Sequence, residues 1–145
     1  KLYNWYAVND PRGLAPKGFH IPSHEEFRQL KIFLGNEHGE VLKSKEGWKE
    51  QGFGNNKTGF NASPVGIRFM DKPISYKGYS TGWWTNSENY EKWALYSFLH
   101  YNFNDMETAS TLKINGLSVR CVKDYKVIEN RYLRTLNSFI NRVFN

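Results

Sequence analysis

The sequence predicts an α+β domain with a twisted antiparallel sheet, one clear N-terminal helix over about 23–34, long loops, and an amphipathic helix appended at the C-terminus. Three observations predict it. Aromatic residues make up 17% of the 145-residue chain and all hydrophobic residues 39%, so rings rather than Leu and Ala carry the apolar content, which favours strands. The pair Trp83-Trp84 is followed by a run, 93–104, that alternates between two ring-rich faces. Ser23 stands three residues before Glu26, the spacing at which a cap and its partner satisfy each other's backbone amides at a helix start.

Taken in order, Leu2 to Val8 reads as an aromatic strand closed by the turn-forming Asn9-Asp10-Pro11-Arg12-Gly13. A Pro- and Gly-punctuated connection follows. The helix then starts at its Ser23 cap, with Glu25 and Glu26 at the positive end of its dipole. Phe27, Leu30, Phe33 and Leu34 form its buried stripe, and Gly35-Asn36 ends it. Val41-Leu42 and Trp48 mark a short second helical turn with core contacts. Residues 51–59 are a glycine- and asparagine-rich loop, and 60–69 resume an extended run in which Gly66 permits a bulge.

Adjacent tryptophans on a strand point to opposite faces. One ring therefore enters the core and the other faces outward from it, and the plainer reading, which is preferred, is that both are core. The polar run Thr85-Asn86-Ser87-Glu88 marks the passage from strand to loop. Beyond it, Trp93 to Asn104 is a long strand with one partly exposed face, and Asp105-Met106-Glu107 turns it. Asn115-Gly116 signals a hairpin, and Leu117 to Val122 closes the sheet with Leu117, Val119 and Cys121 inward. In the tail, Ile128, Tyr132, Leu136 and Ile140 recur at helical spacing, with Arg131, Arg134 and Arg142 off the stripe. The organisation is a domain over 1–124 and a helical tail over 125–145.

The net charge of +6 permits nucleic acid or an anionic surface as a partner. The cations are scattered singly among acids, however, and no nucleic acid is expected. Cys121 is the only cysteine, so no intrachain disulfide forms. There is no apolar run of transmembrane length and no signal-peptide pattern. A start at Lys1 indicates a processed product or a chain that begins inside a longer one.

Several blocks together resemble a known family, the Fibrobacter succinogenes major paralogous domain. They are Tyr3 to Val8, Leu14 to Ser23 with Glu25-Glu26-Phe27, Leu42-Lys43-Ser44 with Trp48, and Gly59 to Ala62 with Pro64 and Gly66. Trp83-Trp84-Thr85 with Glu88 and the ending Gly116 to Asp124 complete the set, which spans 3–124 in order. The resemblance implies a C-type-lectin-like fold, related to formylglycine-generating enzymes and to the variable proteins of diversity-generating retroelements. It also implies a secreted, lipoprotein or outer-membrane-associated setting at a bacterial cell surface. Phe19 and Phe27 stand where the family usually has Trp, and Leu117 where it has an aromatic.

No catalytic centre is expected. Formylglycine-generating relatives depend on paired cysteines, and this chain has one. His20 and His24 flank Pro22-Ser23, which breaks the spacing that would bring two histidines to one metal. Calcium-dependent sugar binding needs several converging oxygens, and the Glu-Pro-Asn loop of lectins of this fold is missing. No metal and no cofactor are expected.

The preferred reading is a non-catalytic binding module that takes protein or glycan through Thr85, Asn86, Glu88, Tyr90, Trp93, Tyr96, His100, Tyr101, Asn102 and Asn104, with about half of these exposed. Tyr, Trp and Asn let a rigid surface recognise varied targets at small entropic cost. The alternative is a structural subunit of a larger surface assembly. It would dock through Ile128, Tyr132, Leu136 and Ile140.

Overall fold

The computed structural model describes residues 1–124 apart from Glu37 and Phe53, and its architecture is α+β with antiparallel sheets. The tail and its stripe of Ile128, Tyr132, Leu136 and Ile140 lie outside the described residues. The first segment differs from expectation: Trp5–Val8 is a helical turn, α1, capped by the Asn4 side chain, which accepts from the Ala7 amide at 3.0 Å. A strand would send Trp5 and Val8 to opposite faces. A helical turn brings residues three apart to one face, and both are buried there.

β1, Phe19–His20, leads into α2, His24–Leu34. The Ser23–Glu26 capping box forms in full, and Gly35 ends the helix with φ +75°. Phe27 and Leu30 are its buried residues. α3, His38–Leu42, follows. After the loop come β2, Ile67–Arg68, and β3, Ile74–Ser75, a two-stranded antiparallel ribbon.

β4, Ser80–Tyr90, β5, Trp93–His100, and β6, Glu107–Leu112, form the main antiparallel sheet in that order. β4 does not stop at the polar run but carries it to Tyr90, with register irregularities on either side of Glu88. β5 is shorter than the expected strand, ending at His100. β7, Val122–Lys123, pairs with β1.

The expected hairpin at Asn115-Gly116 does not form. Asn115 is buried, its amide oxygen accepting from the Met70 amide at 3.0 Å and its nitrogen donating to Thr111 at 2.7 Å. Committed in this way, it sends the chain across three different neighbours: Gly116 bridges Arg68, Leu117 bridges Tyr3, and Ser118 bridges Trp83. Leu117 is fully buried, while Val119 and Cys121 are half-buried against the core.

Both tryptophans of the central pair are buried, and they enter different cores. Trp83 packs with Phe27, Leu30, Leu42, Phe60, Leu99 and Met106, meeting Phe60 edge to face with centroids 5.1 Å apart. Trp84 packs with Trp5, Val8, Ile21, Ile67 and Leu117. Strand alternation thus makes β4 a partition, each face covered by its own apolar layer. The buried indole N–H groups are satisfied, as such groups must be: Trp84 donates to Tyr3 O at 2.8 Å, and Trp5 donates to Thr85 O at 2.9 Å. These two bonds lash the N-terminal segment to β4.

Candidate functional site

The residues expected on one binding face fall into two groups separated by the length of β5, roughly 23 Å at about 3.3 Å per residue. Asn86, Glu88, Tyr90 and Trp93 lie toward the β4–β5 turn, all exposed. Tyr90 is opposite Trp93, 70% exposed against 42%. Glu88 accepts from Lys113, whose buried ammonium also donates to Glu91 O at 2.7 Å and lies 4.6 Å over the Trp5 ring. Glu88 is therefore engaged as the counter-charge of a buried lysine.

One expected residue is not a surface group, and a second is only partly one. Thr85 is fully buried, its hydroxyl donating to Leu95 O at 2.8 Å and accepting from the Ser87 amide at 3.1 Å. It lies beside Trp84 on a strand covered on both faces, so its oxygen is spent inside. Tyr96, opposite Trp84 in the ladder, is half-buried against the second core, with the two rings 6.2 Å apart. Burial pushes its phenol pKa up.

The second group is a built platform. Beyond β5, the loop 101–105 carries exposed Asn102, Phe103 and Asn104, with His100 and Tyr101 half-buried beside them. The His100 ring lies 4.7 Å from Tyr101 and 5.2 Å from Phe103, and Tyr79 meets Tyr101 edge to face at 5.4 Å. His100 Nδ1 hydrogen-bonds to Asn102 Oδ1, which assigns the proton to that nitrogen and leaves the Asn102 NH2 unspent by the bond.

What fixes this loop comes from below, from α3 and the segment after it. Lys43, 2% exposed, donates to Tyr101 O at 3.1 Å and Phe103 O at 2.9 Å. Burial lowers its pKa to about 8. The Gly39 amide donates to Asn104 O at 2.6 Å, and a Cβ there would lie 2.6 Å from the same oxygen. A Cβ on Gly52 would lie 2.7 Å from Tyr101 O. Buried His38 donates from Nδ1 to Gly35 O at 3.0 Å and accepts at Nε2 from the Met106 amide at 2.8 Å, so both ring nitrogens are engaged. Sequence reasoning missed all four supports. Lys43 carries no signal that distinguishes it from a surface lysine; the glycine inside the short helix at 39 was the one readable sign of close approach.

The catalytic alternatives fit poorly. His20 has both ring nitrogens engaged, Nδ1 with Asp124 and Nε2 with Glu26, each at 2.7 Å. It acts as a clasp rather than a base with a free face. Burial pushes the Cys121 thiol pKa up, away from the reactive thiolate. Among the described residues, no group of three or more His, Cys, Asp or Glu is placed to hold a metal ion. Among them also, no helix is long and apolar enough to cross a membrane.

The fold and the platform describe a small mixed domain that presents rings and amides on a braced surface. The model of the Fibrobacter succinogenes major domain matches residues 1–123, and the chain belongs to that family. None of the curated proteins compared matches it, and none of the solved structures does.

Proposed function

We propose that this chain is a non-catalytic recognition module of a secreted or cell-surface bacterial protein, with a C-type-lectin-like fold, that binds protein or glycan through the platform at 100–104. One observation carries the reading. Exposed Asn102, Phe103 and Asn104 stand on a loop whose carbonyls at 101, 103 and 104 are taken from beneath by Lys43 and Gly39. A surface held in this way binds without first paying to order its backbone. An exposed ring flanked by amides suits stacking and hydroxyl recognition alike. The pairing of β1 with β7, which joins the first and last strands described, supports the fold assignment.

The test is binding of the wild type, Phe103→Ala and Asn102→Ala to a panel of glycoproteins, intact and enzymatically deglycosylated. Binding lost in both variants supports the platform, and the effect of deglycosylation says whether glycan or protein is read. Binding that survives both substitutions refutes it.

Assembly into a larger surface structure is the second reading. Met70, Ile74 and Tyr76, each more than half exposed on or beside the β2–β3 ribbon, favour it. A mass above that of a monomer in light scattering, restored to the monomer by Ile74→Lys, would support it; a monomeric wild type would not.

A further inference from the structure

We propose that a polar cleft just beyond the C-terminal end of α3, between segment 44–46 and loop 56–63, is a binding site for a single neutral sugar ring. The inference is independent of the platform, with which the cleft shares no residue. The cleft has a volume of about 290 Å³, is open to solvent, and is lined by Ser44, Lys45, Glu46, Asn56, Asn61 and Ser63. That volume is at the lower end of the roughly 300–1,000 Å³ of small-molecule sites, room for one ring rather than a chain.

The lining determines the chemistry. Every described side chain in it is polar, and the two charges, Lys45 and Glu46, cancel, which favours a neutral ligand over an anion or a cation. Within the described residues the side chains of Lys45, Glu46, Asn61 and Ser63 make no hydrogen bond or ion pair, so their donors and acceptors are available to a ligand that both gives and takes hydrogen bonds. Ring hydroxyls do both. Among the described residues no aromatic ring lines the cleft, so affinity is set by hydrogen bonding and is expected on the order of millimolar.

The walls are prepared for this. Asn61 N donates to Asn56 Oδ1 at 2.7 Å, and Thr58 Oγ1 donates to Val41 O at 2.8 Å. Ser44 N donates to Ala62 O at 3.0 Å, and the Ser44 hydroxyl, fixed by Trp48 Nε1 at 3.2 Å, donates to Glu46 O at 2.7 Å. Asn56 and Asn61 both hold left-handed backbone, φ +51° and +52°, a conformation that Asn tolerates and most side chains do not. Both walls are thus cross-tied before any ligand arrives.

The experiment is an amide NMR titration of the full chain with the methyl pyranosides of glucose, mannose, galactose and xylose, and with methyl glucuronide, each to about 50 mM. The expected result is saturable shifts at Ser44, Asn56, Asn61 and Ser63 with at least one neutral glycoside. Asn61→Gly keeps the left-handed backbone while removing the amide, and weakens binding at least about fivefold. Ser63→Ala serves the same purpose should Asn61→Gly fail to fold. Phe103→Ala leaves the cleft shifts unchanged, so failure of the platform and failure of the cleft are told apart. Absent or non-saturating shifts overturn the proposal, as do shifts confined to 100–104 or binding of the glucuronide alone.

Discussion

Lys43→Met is the most informative single change in this molecule. Lys43 is 2% exposed, its ammonium bonds two carbonyls and lies 5.1 Å over the Trp48 ring, and no carboxylate pairs with it among the described ion pairs. Holding its pKa at about 8 rather than 10.5 is worth about 3 kcal/mol in favour of the neutral form. Methionine, similar in length, removes that cost but leaves Tyr101 O and Phe103 O without a donor, at about 1–3 kcal/mol each. The two effects are of similar size, so stability at neutral pH does not separate them.

The pH dependence does separate them. Between about 8 and 10.5 the unfolded chain holds a proton on Lys43 that the folded chain has released, so stability rises with pH over that window. The neutral amine still has two N–H groups for its two carbonyls, so little is lost on deprotonation. Integrating the linkage, the wild type gains about 2 kcal/mol relative to Lys43→Met between about pH 7.5 and 9.5. Urea unfolding of both proteins at pH 7.5, 8.5 and 9.5 measures this. Parallel stability curves would show that the ammonium is not buried at a cost, and the argument would fail. Hydrogen exchange supplies a second reading: amides at 101–105 exchange faster in the variant if Lys43 braces the loop.

Other expectations follow from the same geometry. The Glu26 and Asp124 carboxylates raise the His20 pKa above 6.5 against the opposing effect of burial, so the clasp contributes fully below pH 6.5 and is lost as pH rises through the folded-state value. With 40% of the side chain exposed, the effect is below about 1 kcal/mol, and His20→Gln should flatten the stability profile between pH 5.5 and 8. Gly66→Ala would place a Cβ 2.3 Å from Ser75 O at φ +80° and should destabilise by about 2–4 kcal/mol. Gly18→Ala, at φ +82° with nothing within 4 Å, should cost only about 1–2 kcal/mol; equal losses in urea unfolding would refute the steric argument. Trp84→Ala should cost about 3–5 kcal/mol; it also removes one of the two donors to Tyr3 O, which keeps the Leu117 amide at 2.9 Å.

The parts of the fold legible in the sequence are those governed by short-range rules. Ser23 and Glu26 are three residues apart, so their reciprocal cap could be read directly, and α2 starts and ends where its caps require. The Trp83-Trp84 pair signalled opposite faces through strand alternation, but whether the second face was covered depends on Trp5, Val8 and Leu117, which arrive from distant parts of the chain. The same distance explains the two misread segments. Leu2 to Val8 has strand composition, yet its Trp5 indole is claimed by Thr85 O, 80 residues away. Asn115-Gly116 has hairpin composition, yet Asn115 is claimed by Met70 and Thr111. The candidate site was half legible: His100, Asn102 and Asn104 could be named from their residue types, whereas the buried lysine and close-packed glycines that brace them have meaning only in three dimensions.

The partition formed by β4 has a consequence for how the molecule comes apart. Two oil drops on either side of one plank cannot melt separately, because the plank's register is what keeps both in place. Slipping β4 by one residue would send Trp83 to Trp84's side and Trp84 to Trp83's, inverting both interiors at once. The domain should therefore lose its two cores in one step, and the same coupling makes its ground state hard to mistake for any neighbouring pairing of strands.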